Sequence, residues 1–430
     1  MRFVSTRGDS PEASLHEAIF DALAPDGGLY MPSRLEALPD AFLDGLSEES
    51  QASITRFVAA HLLGQDLGAA DLDSILEGGL GFEVPTVEIE PGIHCLELFR
   101  GPTLAFKDVG ARFMASLMAH FRDPEEEVSI LVATSGDTGA AVAHAFFERP
   151  GFRVIVLFPR GQVSPAQQRL FTTLGGNIVA CAINGSFDDC QHLVRQAFGD
   201  RDLRRLCPLG SANSINVARL LPQVFYYFFA AAQLPTNEGT LFSTPSGNFG
   251  NLTAGLFAKR LGLRRSRFVA ATNVNNVVPE YLESGVFVPR ASVSTLANAM
   301  DVGNPSNLER IRRLYDDDLD RLRADLVGSS FTDEEVLSAI TRVHRNSGYV
   351  LDPHSAIGYL GLREHLREQE EQGIFLATAH PAKFADIVSD AIGEPVELPD
   401  ALRARLELPE SLVELSASYQ EFRAHLLASP

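Results

Sequence analysis

The sequence predicts an α/β fold with a largely parallel sheet, and three observations predict it. From about Val128 onward, short β-branched apolar runs alternate with helical stretches. The runs are predominantly apolar, as strands covered on both faces are. Several of them end in turns rich in glycine and hydroxyl residues that open a helix. In such sheets ligands collect beyond the carboxyl ends of the strands, so those turns are where function is sought.

The elements follow in order. About the first 90 residues read as helices joined by Pro/Gly turns, with Ser14 to Leu23 and Ser47 to Leu63 apolar at three- and four-residue spacing. The strand–helix alternation then begins. Val128 to Ala133 precedes a helix from Gly139, Arg153 to Phe158 a helix after Pro165, and Asn177 to Ile183 a helix from Phe187. Thr240 to Thr244, with a helix after Gly250, and Arg267 to Thr272 continue the pattern, and Gly373 to Thr378 reads as another buried strand. The most apolar stretch, Val224 to Ala232, is far shorter than the roughly 20 residues a bilayer requires and is read as a core helix. The acidic segment 390–430 reads as helical packing.

A chain of 430 residues is too long for one core, and about two to three domains are expected. Its 36 basic and 56 acidic residues give a net charge of −20, which argues against a non-specific polyanion or acidic-membrane binder. The four cysteines (Cys95, Cys181, Cys190, Cys207) fit no zinc or redox pattern, so reduced thiols and no metal are expected. The N-terminus shows no apolar signal region, and a cytoplasmic protein is expected. Only three of the 36 basic residues are lysines, Lys107, Lys259 and Lys383. Chemistry that needs an amine therefore has three candidates.

Lys107 sits among apolar residues in Gly101-Pro102-Thr103-Leu104-Ala105-Phe106-Lys107-Asp108, close to a helix start. Burial there disfavours its charged form, which is how a lysine becomes a nucleophile or Schiff-base former. The plainer reading is a lysine snorkelling over apolar surface. A chain that elsewhere uses arginine for that purpose favours a specific need for an amine. Lys259, late in a helix, reads as a solvated helix-end cation, and Lys383 as a structural or phosphate-balancing charge.

Two turns carry the anion-binding signal. Thr134-Ser135-Gly136-Asp137-Thr138-Gly139 leads from a strand into a helix, and either binds an anion or is simply capped by Ser135 or Asp137. Pro245-Ser246-Gly247-Asn248-Phe249-Gly250-Asn251 does the same, with Gly247 and Gly250 permitting close approach or positive φ. It matches neither a P-loop nor a dinucleotide fingerprint. Two such turns in one chain favour a phosphate-bearing ligand.

Together with Ser5-Thr6-Arg7-Gly8, Asp26 to Pro32, Ser211 to Asn216, Ala299 to Asn307, Asp352-Pro353-His354 and Thr378 to Phe384, these segments resemble the threonine synthase family. That resemblance implies a fold-type II enzyme using pyridoxal 5′-phosphate (PLP), with two doubly wound, mostly parallel sheets and an N-terminal helical region. It implies an N-terminal domain over 1–95, a large PLP-binding domain over 96–125 and 200–390, a small mobile domain over 126–199, and a helical extension over 391–430. It implies conversion of O-phospho-L-homoserine and water to L-threonine and phosphate, by a monomer or homodimer without nucleic-acid or membrane partners. Lys107 would be the Schiff-base lysine and general base. Gly247, Asn248, Phe249, Gly250 and Asn251 would cradle the cofactor phosphate, and Thr378 would meet the pyridine nitrogen. Ser135, Gly136, Asp137 and Thr138 would hold the substrate carboxylate, and Ser214 and Arg219 the substrate phosphate. Asp137 stands where many fold-type II relatives have an Asn that contacts the cofactor's phenolic oxygen. An anionic Asp cannot donate that bond, so it is either protonated or helped by a neighbour. Rival readings are a phospholyase on the same scaffold, giving 2-oxobutyrate, ammonia and phosphate, a sister β-replacement enzyme such as cysteine synthase, and a non-enzymatic nucleotide-binding or scaffold protein.

Overall fold

In the computed structural model, residues 1–234, 239–263, 265–367 and 371–428 are described. Two sheets dominate. The larger has six strands: β3 (Thr86–Glu90), β4 (Ile93–Glu97), β9 (Gly239–Pro245), β10 (Ser266–Thr272), β11 (Leu326–Ser330) and β12 (Glu371–Ala377), in the order β11-β10-β9-β12-β4-β3. All neighbours are parallel except the β3–β4 pair, which is a direct hairpin closed at Pro91-Gly92. The smaller sheet is parallel throughout: β5 (Val128–Ala133), β6 (Phe152–Pro159), β7 (Ile178–Asn184), β8 (Leu209–Ser211) and β13 (Val413–Ser416), in the order β13-β7-β6-β5-β8.

The strands are buried because their crossover helices cover both faces. Every residue of β5 and β6 is buried, which is why their sequences show no polar alternation. The apolar stretch read as a core helix is one, Gln223–Gln233, with Tyr226, Tyr227 and Phe228 fully covered. Among the described residues no helix is long and apolar enough to cross a membrane. The N-terminal region is mainly helical, with one short antiparallel ladder between β1 (Phe3–Ser5) and β2 (Tyr30–Pro32).

One expectation is corrected. The segment 391–430 is not helical alone, since β13 joins the small sheet beside β7. Its Leu415 is buried against that sheet while the other three residues of the strand are exposed. The small sheet thus takes β5–β8 from between β4 and β9 and β13 from after β12.

Candidate active site

A cavity of about 870 Å³ lies at the carboxyl ends of strands from both sheets, within the range of small-molecule sites. It gathers Lys107, Thr378, Ser214 and Arg219 with both glycine turns. Of the residues that the resemblance assigns to cofactor or substrate, only Gly136 stays off its wall; a Cβ there would strike the Gln167 side chain at 2.6 Å.

Lys107 is the first residue of the Lys107–Phe121 helix. The chain just before it is pinned to the segment after β12: Phe106 donates its N–H to the Thr378 carbonyl at 2.9 Å, and Ala105 bridges to Ala379. The amine and Thr378 are therefore held on one backbone frame. The Lys107 amine is pushed down to about 8, with burial the main cause; Asp137 opposes the shift, and Lys383 and Arg219 add to it.

The turn after β5 is built around a charge. Gly136, at φ 137°, is the N-cap and Asp137 the first residue of the Asp137–Phe146 helix. Neither Ser135 nor Asp137 caps the helix. The Thr134 hydroxyl does so, accepting from Gly136 N–H at 2.9 Å and Gly139 N–H at 2.8 Å. Asp137 is buried and sits 4.0 Å from the Lys107 Nζ and 2.5 Å from the Lys383 Nζ, while Gln167 donates to it at 2.9 Å. Burial alone would raise its pKa, but the two ammonium groups outweigh burial and hold the carboxyl well below the usual carboxylate range. Of the two ammonium groups, Lys383 is the nearer to the Asp137 carboxylate.

The turn after β9 is built without charge. Asn251 wires it: its side chain accepts from the Ser246 hydroxyl at 2.7 Å and from Leu252 N–H at 3.0 Å, and donates to the Pro245 carbonyl at 2.9 Å. Phe249, at φ 60°, rather than either glycine, takes the left-handed conformation. Gly247 serves close approach instead, since a Cβ there would lie 2.8 Å from the Ala299 carbonyl and 2.9 Å from Met300 Cα. The Gly250–Leu261 helix that follows has first-turn N–H groups free of intrahelical acceptors, as every helix start does. The arrangement suits a phosphate better than a carboxylate side chain, because nothing anionic occupies it.

Arg219 is buried, its Nη1 donates to the Ala212 carbonyl at 2.5 Å, and its Nε has no partner among the described residues. Burial pulls this guanidinium down to about 10. A buried donor without an acceptor is what a ligand oxygen would satisfy. Two residues missed in the sequence reading position this wall. Arg310, fully buried, donates to the carbonyls of Tyr30, Ser214 and Ile215, and Asn307 bonds the carbonyls of Asn248 and Ser214. They lie outside any glycine turn, and only the three-dimensional neighbourhood reveals them. Lys259 is corrected too: it is not solvated, but bonds the Ser266 carbonyl and pairs with Asp325 at 3.1 Å.

Comparison with known proteins accounts for the whole chain. Residues 84–378 match the pyridoxal-phosphate dependent enzyme family, residues 2–79 the threonine synthase N terminus, and residues 355–426 the threonine synthase C-terminal region. Threonine synthase of Serratia marcescens is 44% identical over 432 residues, covering 100% of both chains. The crystal structure of threonine synthase from Escherichia coli superposes with a TM-score of 0.94 at 41% identity over 99% of both chains. The PLP-bound threonine synthase from Brucella melitensis gives 0.91 at 35% identity over 100% of both.

Proposed function

The chain belongs to the threonine synthase family of fold-type II PLP enzymes, and from that premise we propose how its cavity works. The reaction is O-phospho-L-homoserine plus water giving L-threonine and phosphate. The observation that carries the site assignment is Lys107: an amine whose proton affinity is lowered, in a cavity that also holds an uncharged glycine turn and a buried guanidinium whose Nε has no partner among the described residues. These features fit PLP, which needs an amine for its aldehyde and a phosphate cradle at a distance from it.

PLP, when bound, supplies the electron sink for carbanion chemistry on the amino-acid substrate. The protein does the rest. Lys107 would hold the cofactor through its amine and would serve as general base, moving protons at the substrate α- and β-carbons. Gly247, Asn248, Phe249, Gly250 and Asn251 would cradle the cofactor phosphate, and the hydroxyl of Thr378 would meet its ring nitrogen. A hydroxyl cannot keep that nitrogen charged as a carboxylate would, which moderates the sink. Ser135, Gly136, Asp137 and Thr138 orient the substrate carboxylate near the helix start, Gly136 through its backbone. Ser214 and Arg219 grip the substrate phosphate, for which a planar fork suits better than an ammonium.

The division into a large cofactor-binding domain and a small one that closes over substrate belongs to the same proposal. So does action as a monomer or homodimer in the cytoplasm, without nucleic-acid or membrane partners. The test is to supply purified holoprotein with O-phospho-L-homoserine and identify the amino-acid product alongside phosphate. Threonine with equimolar phosphate is expected. 2-Oxobutyrate and ammonia without threonine would establish the phospholyase instead.

A further inference from the structure

Lys383 is the one lysine that the reading above leaves without a task, and it is among the most enclosed charges in the molecule. Its side chain is 0% exposed. It stands in the Pro381–Phe384 turn after β12, donates to the Thr103 carbonyl at 2.9 Å, and pairs with Asp137 at 2.5 Å. It does not line the cavity, whereas Asp137 and Lys107 do. Asp137 therefore stands between two ammonium groups, one facing the reaction and one behind it.

We propose that Lys383 is a positioning residue that acts through Asp137, fixing how much of that carboxylate's field reaches the Lys107 amine. The inference rests on the assignment of Lys107 as the cofactor lysine. A bare buried carboxylate 4.0 Å from the Lys107 Nζ would strongly favour the charged amine and blunt it as nucleophile and base. The second ammonium, closer to the carboxylate, offsets that field and also repels the first. The Lys107 amine keeps a lowered proton affinity although an anion sits beside it. The same contact explains why an Asp is tolerated at 137: its charge is balanced inside the protein, so the turn still presents a near-neutral face to an anionic ligand.

Other charged groups reach this trio. Arg219 faces Lys107 from the Val217–Leu220 turn, and His354 faces Asp137 from the Pro353–His365 helix. Asp108 follows Lys107 in sequence; its carboxyl takes the N–H and hydroxyl of Thr103 and faces Lys383, which bonds the Thr103 carbonyl. None of these lies as near to Asp137 as Lys383 does.

With only three lysines in the chain, reductive ¹³C-methylation of the apoprotein gives few signals, and Lys107→Arg identifies the one that titrates. Its midpoint is read against pH, and the visible band of the PLP-loaded protein is titrated in parallel. Lys383→Met should raise the Lys107 midpoint by about one pH unit, a tenfold gain in proton affinity. Lys383→Arg, which keeps the charge, should stay near wild type. Asp137→Asn should lower the midpoint by a similar amount, and the double variant Asp137→Asn/Lys383→Met should return to within about 0.3 unit of wild type. A folded Lys383→Met protein with lower melting temperature and an unmoved midpoint would overturn the proposal and leave Lys383 a structural latch. Should Lys383→Met not fold, the other two variants decide: Asp137→Asn without a shift, or a double variant that is not restored, overturns it equally. If wild-type protein develops no visible band with PLP, the cofactor reading fails, while the apoprotein titration still tests Lys383.

Discussion

The two strand-to-helix turns that meet at the cavity look alike in sequence and are built on opposite electrostatic plans. The turn after β5 carries its own anion at the first helical position, Asp137, and balances it with Lys383 and Lys107. The turn after β9 carries no charge and is held in shape by the amide of Asn251. A helix start attracts negative charge in both cases. In the first the protein places an anion of its own, held by Lys383 and Gln167; in the second no side-chain charge is present. The difference teaches that a glycine-rich turn is not a phosphate cradle by virtue of its glycines. What decides is whether a side chain already occupies the dipole.

Removing the amine that both turns surround breaks the comparison most bluntly. Lys107→Ala should abolish the visible band of the PLP-loaded protein and lower kcat by about 10³-fold or more. Borohydride should bleach the band in wild type and have nothing to bleach in the variant. A variant that keeps the band would move the cofactor to Lys259 or Lys383. Both are already committed, Lys259 to Asp325 and Lys383 to Asp137, so the structure argues strongly for loss.

The next largest effect separates substrate phosphate from cofactor phosphate. Arg219→Lys keeps a cation but loses the planar fork, and should lower kcat/KM by roughly 10- to 100-fold. The midpoint of a PLP titration should be unchanged if, as proposed, the cofactor phosphate sits in the uncharged turn. A variant whose PLP affinity falls as steeply as its kcat/KM would merge the two phosphate sites that the comparison keeps apart.

The turns should also differ in how they fail. Thr134→Val leaves the buried N–H groups of Gly136 and Gly139 unpaired and should cost about 1–3 kcal/mol in chemical denaturation of the apoprotein. Gly247→Ala drives a Cβ against backbone at Ala299 and Met300, which cannot yield as a side-chain tip does. It should cost a similar amount, about 1–3 kcal/mol, and weaken PLP binding as well. If Thr134→Val weakened PLP binding more than Gly247→Ala, the assignment of the cofactor phosphate to the second turn would be reversed.

Much of this was legible before any coordinates. The scarcity of lysine isolated Lys107, and unbroken apolar runs between helices marked the parallel sheets. Other features were hidden for physical reasons. Lys383 and Asp137 lie 246 positions apart, and no local pattern announces a contact made only when the Pro381–Phe384 turn packs against the Pro165–Thr172 helix. Phe249 adopts the left-handed conformation between two glycines because the turn's hydrogen bonds over-determine it, whereas propensity would place that conformation at a glycine. Ser135 looked like a cap, but the hydroxyl of Thr134 reaches the N–H groups of Gly136 and Gly139 from two residues before the N-cap. The strand β13 was lost in an acidic, largely exposed stretch, since an edge strand needs only one buried residue per turn of the alternation.

The smallest expected effect concerns pH, and its sign follows from the same charges. Lys107 has its proton affinity lowered on folding, from 10.5 to about 8, so between those values the unfolded chain binds more protons than the folded one. Apoprotein stability should therefore rise with pH across that window, the gain being lost as pH falls through about 8. Other groups titrate there too, so the measurable quantity is the difference between wild type and Lys107→Met in urea midpoint at pH 7.5 and pH 10. The variant should lack part of the rise, at most one proton's worth of slope. A variant that gained as much with pH as wild type would mean that the charged turn, with its carboxylate, holds the Lys107 amine at an ordinary proton affinity. The contrast between the two turns would then have no consequence for the amine they enclose.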